Sequence, residues 1–178
     1  DSYDPVSGRA IRSIKSGGVE SDEVNYVEDN THRITESIHT NSLSKGTVYH
    51  FAFSYGKQVV TKVDGMATDQ CVASNSHYTY DNAGYRRTYT DERGIVTETV
   101  RNDRGFITER RTGLTWAAGV DSNLINSPES QKIATVWHAN FSEPTQKTFY
   151  AINLDNYVAF KQEDYVYDQQ NRLSSKVI

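Results

Sequence analysis

Apolar and polar residues alternate along most of the chain, and a turn-forming cluster interrupts the alternation about every ten residues. Residues 85–100 show this most clearly, because β-branched and aromatic side chains there are interleaved with charged ones, as in a half-buried strand. The same alternation predicts hairpins at 24–37, 47–63 and 148–158. No segment has the apolar spacing of an amphipathic helix. The sequence therefore predicts an all-β fold, an antiparallel meander of successive β-hairpins that forms a curved, twisted sheet.

One turn pattern recurs, in which an Asp or Asn stands three residues before a Gly. The Asp or Asn side chain can bond the backbone two residues on, and Gly tolerates the positive φ that closes the turn. The clearest copies lie within 78–111, where successive units start 10 or 11 residues apart, and repetition at a fixed period predicts a repeat architecture. In the last copy Asn replaces Gly, a mild change because Asn also visits the left-handed region. The predicted turn residues are Tyr3, Asp4 and Gly8 (with one inserted residue), Tyr80, Asp81 and Gly84, Asp91 and Gly94, Asn102 and Gly105, and Tyr167, Asp168 and Asn171.

The hairpin at 47–63 supplies the strongest core candidate of the N-terminal half. Its bend is expected at Tyr55-Gly56-Lys57, and alternate residues of its first strand share a face. One of these faces is aromatic and is predicted to be buried: Tyr49, Phe51, Phe53 and Tyr55. Further along, a short strand is expected at 114–117. Residues 119–130 lack strand periodicity and are expected to form a surface excursion.

The 178 residues are predicted to form a single repeat domain. Within it, residues 1–77 hold diverged hairpins and residues 78–111 hold the clearest repeats. Residues 112–178 hold the final repeat and, before it, an interposed segment that contains Trp137 and His138, hereafter the Trp-His segment. Because the sequence opens on Asp1 rather than Met, we expect it to be a section of a longer protein.

Composition narrows the class of partner. The chain is 36% hydrophobic and 24% charged, with a mean hydropathy of -0.69, and its formal net charge of -4 gives no basic footprint for nucleic acid. No apolar run is long enough for a membrane span, and no signal peptide opens the chain. The single Cys71 rules out an internal disulfide and a cysteine-based zinc site.

No residue pattern predicts catalysis, a metal or a cofactor. The five histidines (His32, His39, His50, His77 and His138) lack metal-ligand spacing. Most carboxylates lie in turns or alternate with Arg and Lys, which favours cross-strand ion pairs over a catalytic pair. Cys71 would need a base, and His77 is the nearest histidine, but no nucleophile signature surrounds them. The glycines fall at strand turns rather than in a phosphate loop.

Two tryptophans allow a binding hypothesis. Trp116 and Trp137 could stack against sugar rings on a flat β surface, since exposed aromatic rings serve this purpose in carbohydrate-binding modules. The alternative, that the rings pack between neighbouring hairpins, is favoured because they recur at strand positions.

The repeat resembles the YD repeats of the Rhs family. The resemblance is carried by Tyr80-Asp81-Asn82-Ala83-Gly84, Thr90-Asp91-Glu92-Arg93-Gly94, Asn102-Asp103-Arg104-Gly105 and Tyr167-Asp168-Gln169-Gln170-Asn171. The opening Tyr3-Asp4-Pro5-Val6-Ser7-Gly8 fits too. Thr135-Val136-Trp137-His138, followed by Pro144-Thr145, is similar to a segment found between repeats in bacterial Rhs proteins.

The resemblance implies a non-enzymatic scaffold. Hairpins of this family spiral into a shell that, in bacterial members, encloses a C-terminal toxin or effector, and the chain would be a section of that wall in a secreted or cell-surface parent protein. The expected partners are the rest of the parent chain and the enclosed toxin, with self-association through sheet edges. The family's autoproteolytic motif is absent, so cleavage and toxin activity are not expected of this chain. The alternative function is a carbohydrate-binding or adhesion module.

Overall fold

The structure, a computed structural model, describes residues 1–15, 17, 20–68 and 72–178. These residues form fourteen strands and no helix, so the predicted all-β fold is confirmed. Cys71 and the hypothesis about its reactivity lie outside the described residues. The strands are β1 (Ser2–Tyr3), β2 (Ala10–Ile14), β3 (Ser21–Glu28), β4 (Ile34–Thr40), β5 (Gly46–Ser54), β6 (Lys57–Gly65), β7 (Ser74–Tyr80), β8 (Arg86–Thr90), β9 (Val96–Arg101), β10 (Ile107–Trp116), β11 (Leu124–Trp137), β12 (Pro144–Asn153), β13 (Asn156–Tyr167) and β14 (Leu173–Val177).

The chain divides into two compact units, Asp1–Tyr78 and Thr79–Ile178. Within each unit, strands that follow one another in the chain pair antiparallel. This is the predicted meander of hairpins. The prediction that residues 1–178 act as one domain stays a prediction.

One five-residue turn joins six of the strand pairs. Its first residue, an Asp or Asn, donates its backbone N–H to the carbonyl oxygen four residues later, and its own carbonyl accepts the N–H of the fourth residue. The side-chain Oδ1 of the first residue accepts the N–H groups two and four residues on. The fourth residue has a positive φ. These turns, hereafter the Asx turns, begin at Asp29, Asn41, Asp81, Asp91, Asn102 and Asp168.

The Asp, Asn and Gly residues predicted for the turns lie in turns, whereas the predicted turn residues Tyr3, Tyr80 and Tyr167 are the last residues of the preceding strands. Gly84, Gly94 and Gly105 have φ between 77° and 81°, and Asn171 takes their place at 60°. The turn at Asp4 is the same one with an extra residue, because Asp4 pairs with Arg9 rather than with its fourth neighbour and Gly8 has a φ of 69°. The Asx turns at Asp29 and Asn41 were not recognised as copies in the sequence, because His32 and Ser44 occupy the glycine position there.

Two hairpins close through two-residue turns instead. Ser54 pairs with Lys57 around Tyr55-Gly56, and Asn153 pairs with Asn156 around Leu154-Asp155. All four central residues have φ between 47° and 75°, the conformation whose twist matches that of the flanking strands. Both bends lie where the sequence predicted them.

The prediction of a buried aromatic face on β5 is wrong. Phe53 is 55% exposed and Tyr55 49%, and the buried side chain of this hairpin is Val59 on β6. The described part of this unit contains no second sheet or helix to cover an aromatic face. The Arg33 guanidinium contacts Phe53, 4.4 Å from its ring centre.

The predicted surface excursion at 119–130 is also wrong. A tight turn at Gly119–Ser122 ends it early, and Leu124 already begins β11. The short strand expected at 114–117 belongs to the longer β10, which continues through a bulge at Gly113. The Gly113 carbonyl accepts hydrogen bonds from the Ser127 and Ser130 hydroxyls, both at 2.7 Å. These bonds hold the irregular start of β11, which is why strand periodicity is missing from its sequence.

Few apolar side chains are buried. Among the described residues they are Val59, Val96 and Leu114. Polar side chains make up the larger part of the buried set: Ser37, Thr88, Thr90, Glu98, Ser130 and Glu163. Hydrogen bonds and ion pairs between strands therefore carry much of the specificity that a hydrophobic core supplies in other folds.

Candidate functional site

The turns along one edge of the second unit contact one another. The Asx turns at Asp81, Asn102 and Asp168 join β7 to β8, β9 to β10 and β13 to β14, and the segment 138–143 joins β11 to β12. Alternate turns of a meander lie at the same edge. We call this row of four turns the turn edge.

The first two turns of the turn edge meet through a tyrosine. Tyr85 closes the Asx turn at Asp81, and its hydroxyl lies 2.8 Å from the position that a Cβ at Gly105 would occupy. Arg101 lies over the same ring, 5.3 Å from its centre. A Cβ at residue 105 would therefore meet the Tyr85 hydroxyl, in addition to the strain of the positive φ that glycine tolerates there.

An arginine fork joins the second turn to the third. Arg104 donates to three backbone carbonyls, those of His138 at 2.7 Å, Ala139 at 2.6 Å and Phe141 at 2.9 Å. Its guanidinium also lies 4.6 Å from the Phe106 ring centre. The planar guanidinium can satisfy several acceptors at once, which an ammonium group on a lysine does less well.

The Trp-His segment forms part of the turn edge. Trp137 stacks on Phe106 with ring centres 4.9 Å apart, and its indole N–H donates to the Ile107 carbonyl at 2.7 Å. His138 opens the third turn, where its Nδ1 accepts the Asn140 N–H as an Asx side chain would. This segment therefore replaces an Asx turn with a histidine turn of similar design.

Aromatic contact continues to the fourth turn. Phe141 stacks on His138 at 3.5 Å and meets Tyr167 edge-on at 5.7 Å. The Tyr167 hydroxyl donates to the Pro144 carbonyl at 2.8 Å, and burial raises the pKa of Tyr167. Tyr167 is the tyrosine of the final repeat, so here the repeat tyrosine fastens one turn to the preceding one.

A buried carboxylate lies on the central strand of three in the same unit. Glu98 on β9 is 1% exposed and pairs across strands with Thr88 and Arg111. One of its carboxylate oxygens accepts from Arg87 at 3.1 Å and the other accepts from Arg111. Both oxygens are occupied by guanidinium groups, so Glu98 links β8, β9 and β10.

Trp116 lies in the pocket next to Glu98. The pocket has a volume of about 340 Å³, and its lining includes Arg87, Glu98, Arg111, Trp116 and Asn123. The half-buried Trp116 donates its indole N–H to the Thr90 hydroxyl at 3.0 Å. Both tryptophans thus donate a hydrogen bond to another strand, Trp137 to the adjacent β10 and Trp116 to β8, which is two strands away.

A second carboxylate cluster joins the last two strands. Glu163 on β13 accepts from Lys161 at 2.7 Å, from the Tyr165 hydroxyl at 2.6 Å and from Lys176 of β14 at 3.1 Å. These hydrogen bonds lower the pKa of Glu163 to about 2 and raise the pKa of Tyr165 to about 12. The carboxylate is therefore ionised over the neutral range and serves as an ionic link between strands.

The first unit holds a histidine between two carboxylates. His50 on β5 lies with Nδ1 3.1 Å from Glu36 of β4 and Nε2 2.9 Å from Asp64 of β6. Lys62 is a further partner of Asp64 at 2.7 Å. The described residues contain no group of three or more His, Cys, Asp or Glu side chains suited to a metal ion. In the same residues no helix is long and apolar enough to cross a membrane.

The sequence identified the turn residues but not their partners. Tyr85, Arg104, Phe106 and Phe141 were missed because nothing in their spacing marks a contact between turns. Tyr3 in β1 is largely exposed, unlike its counterpart Tyr167. Comparison with known proteins leaves the likeness to YD repeats as a resemblance, since no protein-family model matches the sequence and no curated protein matches it either.

Proposed function

We infer that the chain is a non-enzymatic scaffold, a section of the wall of an Rhs-type YD-repeat protein. The observation that carries this proposal is the recurrence of one turn, the Asx turn, at six places with the same four hydrogen bonds. A unit repeated with this fidelity is typical of an array, in which each unit contacts its neighbours.

The mechanism of such a scaffold is geometric. Each Asx turn fixes where one strand ends and the next begins, and the contacts of the turn edge hold successive turns of the second unit together. Tyr85 against Gly105 and Arg104 on the carbonyls of 138–141 are the two strongest examples. Strand ladders between the turns supply rigidity.

The state of the buried carboxylates supports a structural role. Glu98 and Glu163 have the burial that a catalytic acid or base often has, but each is held by two cationic side chains. Their carboxylate oxygens are engaged by side chains of the protein, which leaves them poorly placed to contact a substrate.

In this proposal the wall encloses a C-terminal toxin or effector of a secreted polymorphic toxin system. The enclosed molecule follows from the resemblance to Rhs proteins, in which alternate side chains of each strand face the cargo. The test uses the full reading frame that contains this chain. Limited proteolysis should digest the segment that follows the repeats much more slowly in the whole protein than when that segment is expressed alone.

Variants of the turn edge sharpen that experiment. Arg104→Gln combined with Asn102→Ala should open the wall and speed digestion of the enclosed segment, whereas the exposed Glu92→Gln should not. A C-terminal segment that is digested at the same rate inside and outside the intact protein would contradict enclosure.

Carbohydrate binding through Trp116 and Trp137 stays a prediction with less support. Both indole N–H groups are engaged with the protein, and Trp137 has one face against Phe106. A glycan array, repeated with Trp116→Ala and Trp137→Ala on any hit, tests it directly.

A further inference from the structure

Several arginines line one pocket of the second unit, and no carboxylate is among the described residues that line it. The pocket lies across β8, β9 and β10 and has a volume of about 280 Å³. It is lined by four arginines, three threonines and two apolar or aromatic side chains, and no Asp or Glu is among these described residues: Arg86, Arg87, Arg101, Arg110, Thr88, Thr97, Thr99, Tyr89 and Ile107.

Arg87 of this pocket has Glu98 as its carboxylate partner, and three arginines elsewhere in the unit also have one. Arg93 binds Asp91 at 2.9 Å, Arg172 binds Asp168 at 2.8 Å, and Arg111 binds Glu98. Arg101 and Arg110 differ from these. Arg101 donates to the Arg86 carbonyl at 2.9 Å and lies over the Tyr85 ring, and neither it nor Arg110 reaches a carboxylate among the described residues.

Arg110 is exposed, and within the described part of the chain its side chain makes no hydrogen bond or ion pair. It pairs across strands with Thr99, so the Thr99 hydroxyl lies beside it on the sheet. The guanidinium donors of Arg110 are therefore free to bind an anion from solution.

The hydrogen-bond donors that line the pocket indicate which class of anion it would bind. Arginine forks match tetrahedral and planar oxyanions in geometry, and threonine hydroxyls add neutral donors of the kind that bind phosphate oxygens. We propose that this pocket binds an oxyanion of the phosphate or sulfate type, with Arg101 and Arg110 as its principal ligands and Thr97 and Thr99 as hydroxyl donors. The whole chain has a net charge of -4, but the described side chains that line this pocket carry only positive charge.

The anion site is independent of the scaffold proposal. Its ligands project from strands and lie outside the five-residue Asx turns. Loss of anion binding in a variant that keeps the parent's β circular dichroism would therefore leave the scaffold account untouched, and an unfolded variant would be recognised as such.

Calorimetric titration with inorganic phosphate and with sulfate, at ionic strength held constant with chloride, tests the proposal. We expect saturable binding in the millimolar range that chloride does not reproduce. Arg110→Gln and Arg101→Gln should each weaken phosphate binding by about tenfold, since each removes charged donors. The matched control is Arg93→Gln, which removes an arginine whose partner is Asp91 and should bind as the parent does.

A phosphate monoester distinguishes the source of the anion. Methyl phosphate binding more tightly than inorganic phosphate assigns the pocket to a phosphorylated molecule, and the reverse order assigns it to the free ion; both support the site. A phosphate response equal to that of chloride, or equal in the parent and the Arg101→Gln/Arg110→Gln double variant, would overturn it.

Discussion

The hydroxyl oxygen of Tyr85 occupies the space next to Gly105 that any larger residue would need, 2.8 Å from the ideal Cβ position. Gly94 has the same left-handed φ but nothing within 4 Å. Gly94→Ala should therefore cost about 1 to 2 kcal/mol of unfolding free energy from backbone strain alone. Gly105→Ala should cost more, because it also displaces Tyr85. Urea denaturation followed by tryptophan fluorescence measures both.

The control for this comparison is Tyr85→Phe. Removing the hydroxyl opens the space beside residue 105, so the extra cost of Gly105→Ala should shrink toward that of Gly94→Ala in the Phe background. An unchanged difference would show that Tyr85 does not constrain Gly105.

Glu98 is expected to be the most sensitive ionic residue of the second unit. Glu98→Ala removes the buried carboxylate that Arg87 and Arg111 share and should lower the unfolding free energy by about 1 to 3 kcal/mol. Glu109→Ala, which removes a less buried partner of Arg111, should cost much less. Equal losses in the two variants would argue against the central position of Glu98.

Glu163 predicts a pH dependence of stability. Its pKa falls from 4.5 to about 2 on folding, so between these pH values the unfolded chain binds a proton that the folded chain does not. Stability from this group is fully present above pH 4.5 and is lost as the pH falls through 2. Glu163→Gln should flatten the acid limb of a stability curve measured from pH 2 to 6, and an unchanged acid limb in this variant would contradict the assignment.

Strand β14 is expected to promote self-association. In its unit it pairs only with β13, and its apolar residues Leu173 and Val177 are more than half exposed, a combination that invites pairing with another chain. Sedimentation velocity should show oligomers growing with concentration. Adding charge with Leu173→Lys and Val177→Lys should suppress them, whereas Val158→Lys on β13 should not. A monomer at every concentration would refute this.

Short-range chemistry made much of the fold predictable. The Asx turns at Asp81, Asp91, Asn102 and Asp168 depend on residues at most four apart, so the sequence alone located them. Asp29 and Asn41 start the same turn, but His32 and Ser44 replace the glycine, and their positive φ is imposed by the surrounding hydrogen bonds.

Contacts between turns were beyond sequence reasoning for a different reason. Arg104 reaches carbonyl groups 34 to 37 residues away, and an arginine bound to backbone leaves no signal in the sequence of its partner. The prediction that the aromatic residues of β5 are buried was wrong for a different reason. Alternation shows which strand residues share a face, as Phe51 and Phe53 do, but it does not show whether anything covers that face.

The equivalence of the diverged and the regular turns is the central claim, and a reciprocal exchange tests it most directly. Ser44→Gly and Gly94→Ser swap the fourth residues of two Asx turns, one in each unit. Both tryptophans lie in the second unit, so native-state hydrogen exchange of β4–β5 and of β8–β9 is the appropriate measurement. If one turn is repeated, Ser44→Gly raises the opening free energy by about 1 kcal/mol and Gly94→Ser lowers it by a similar amount. A loss of protection in Ser44→Gly would contradict the account.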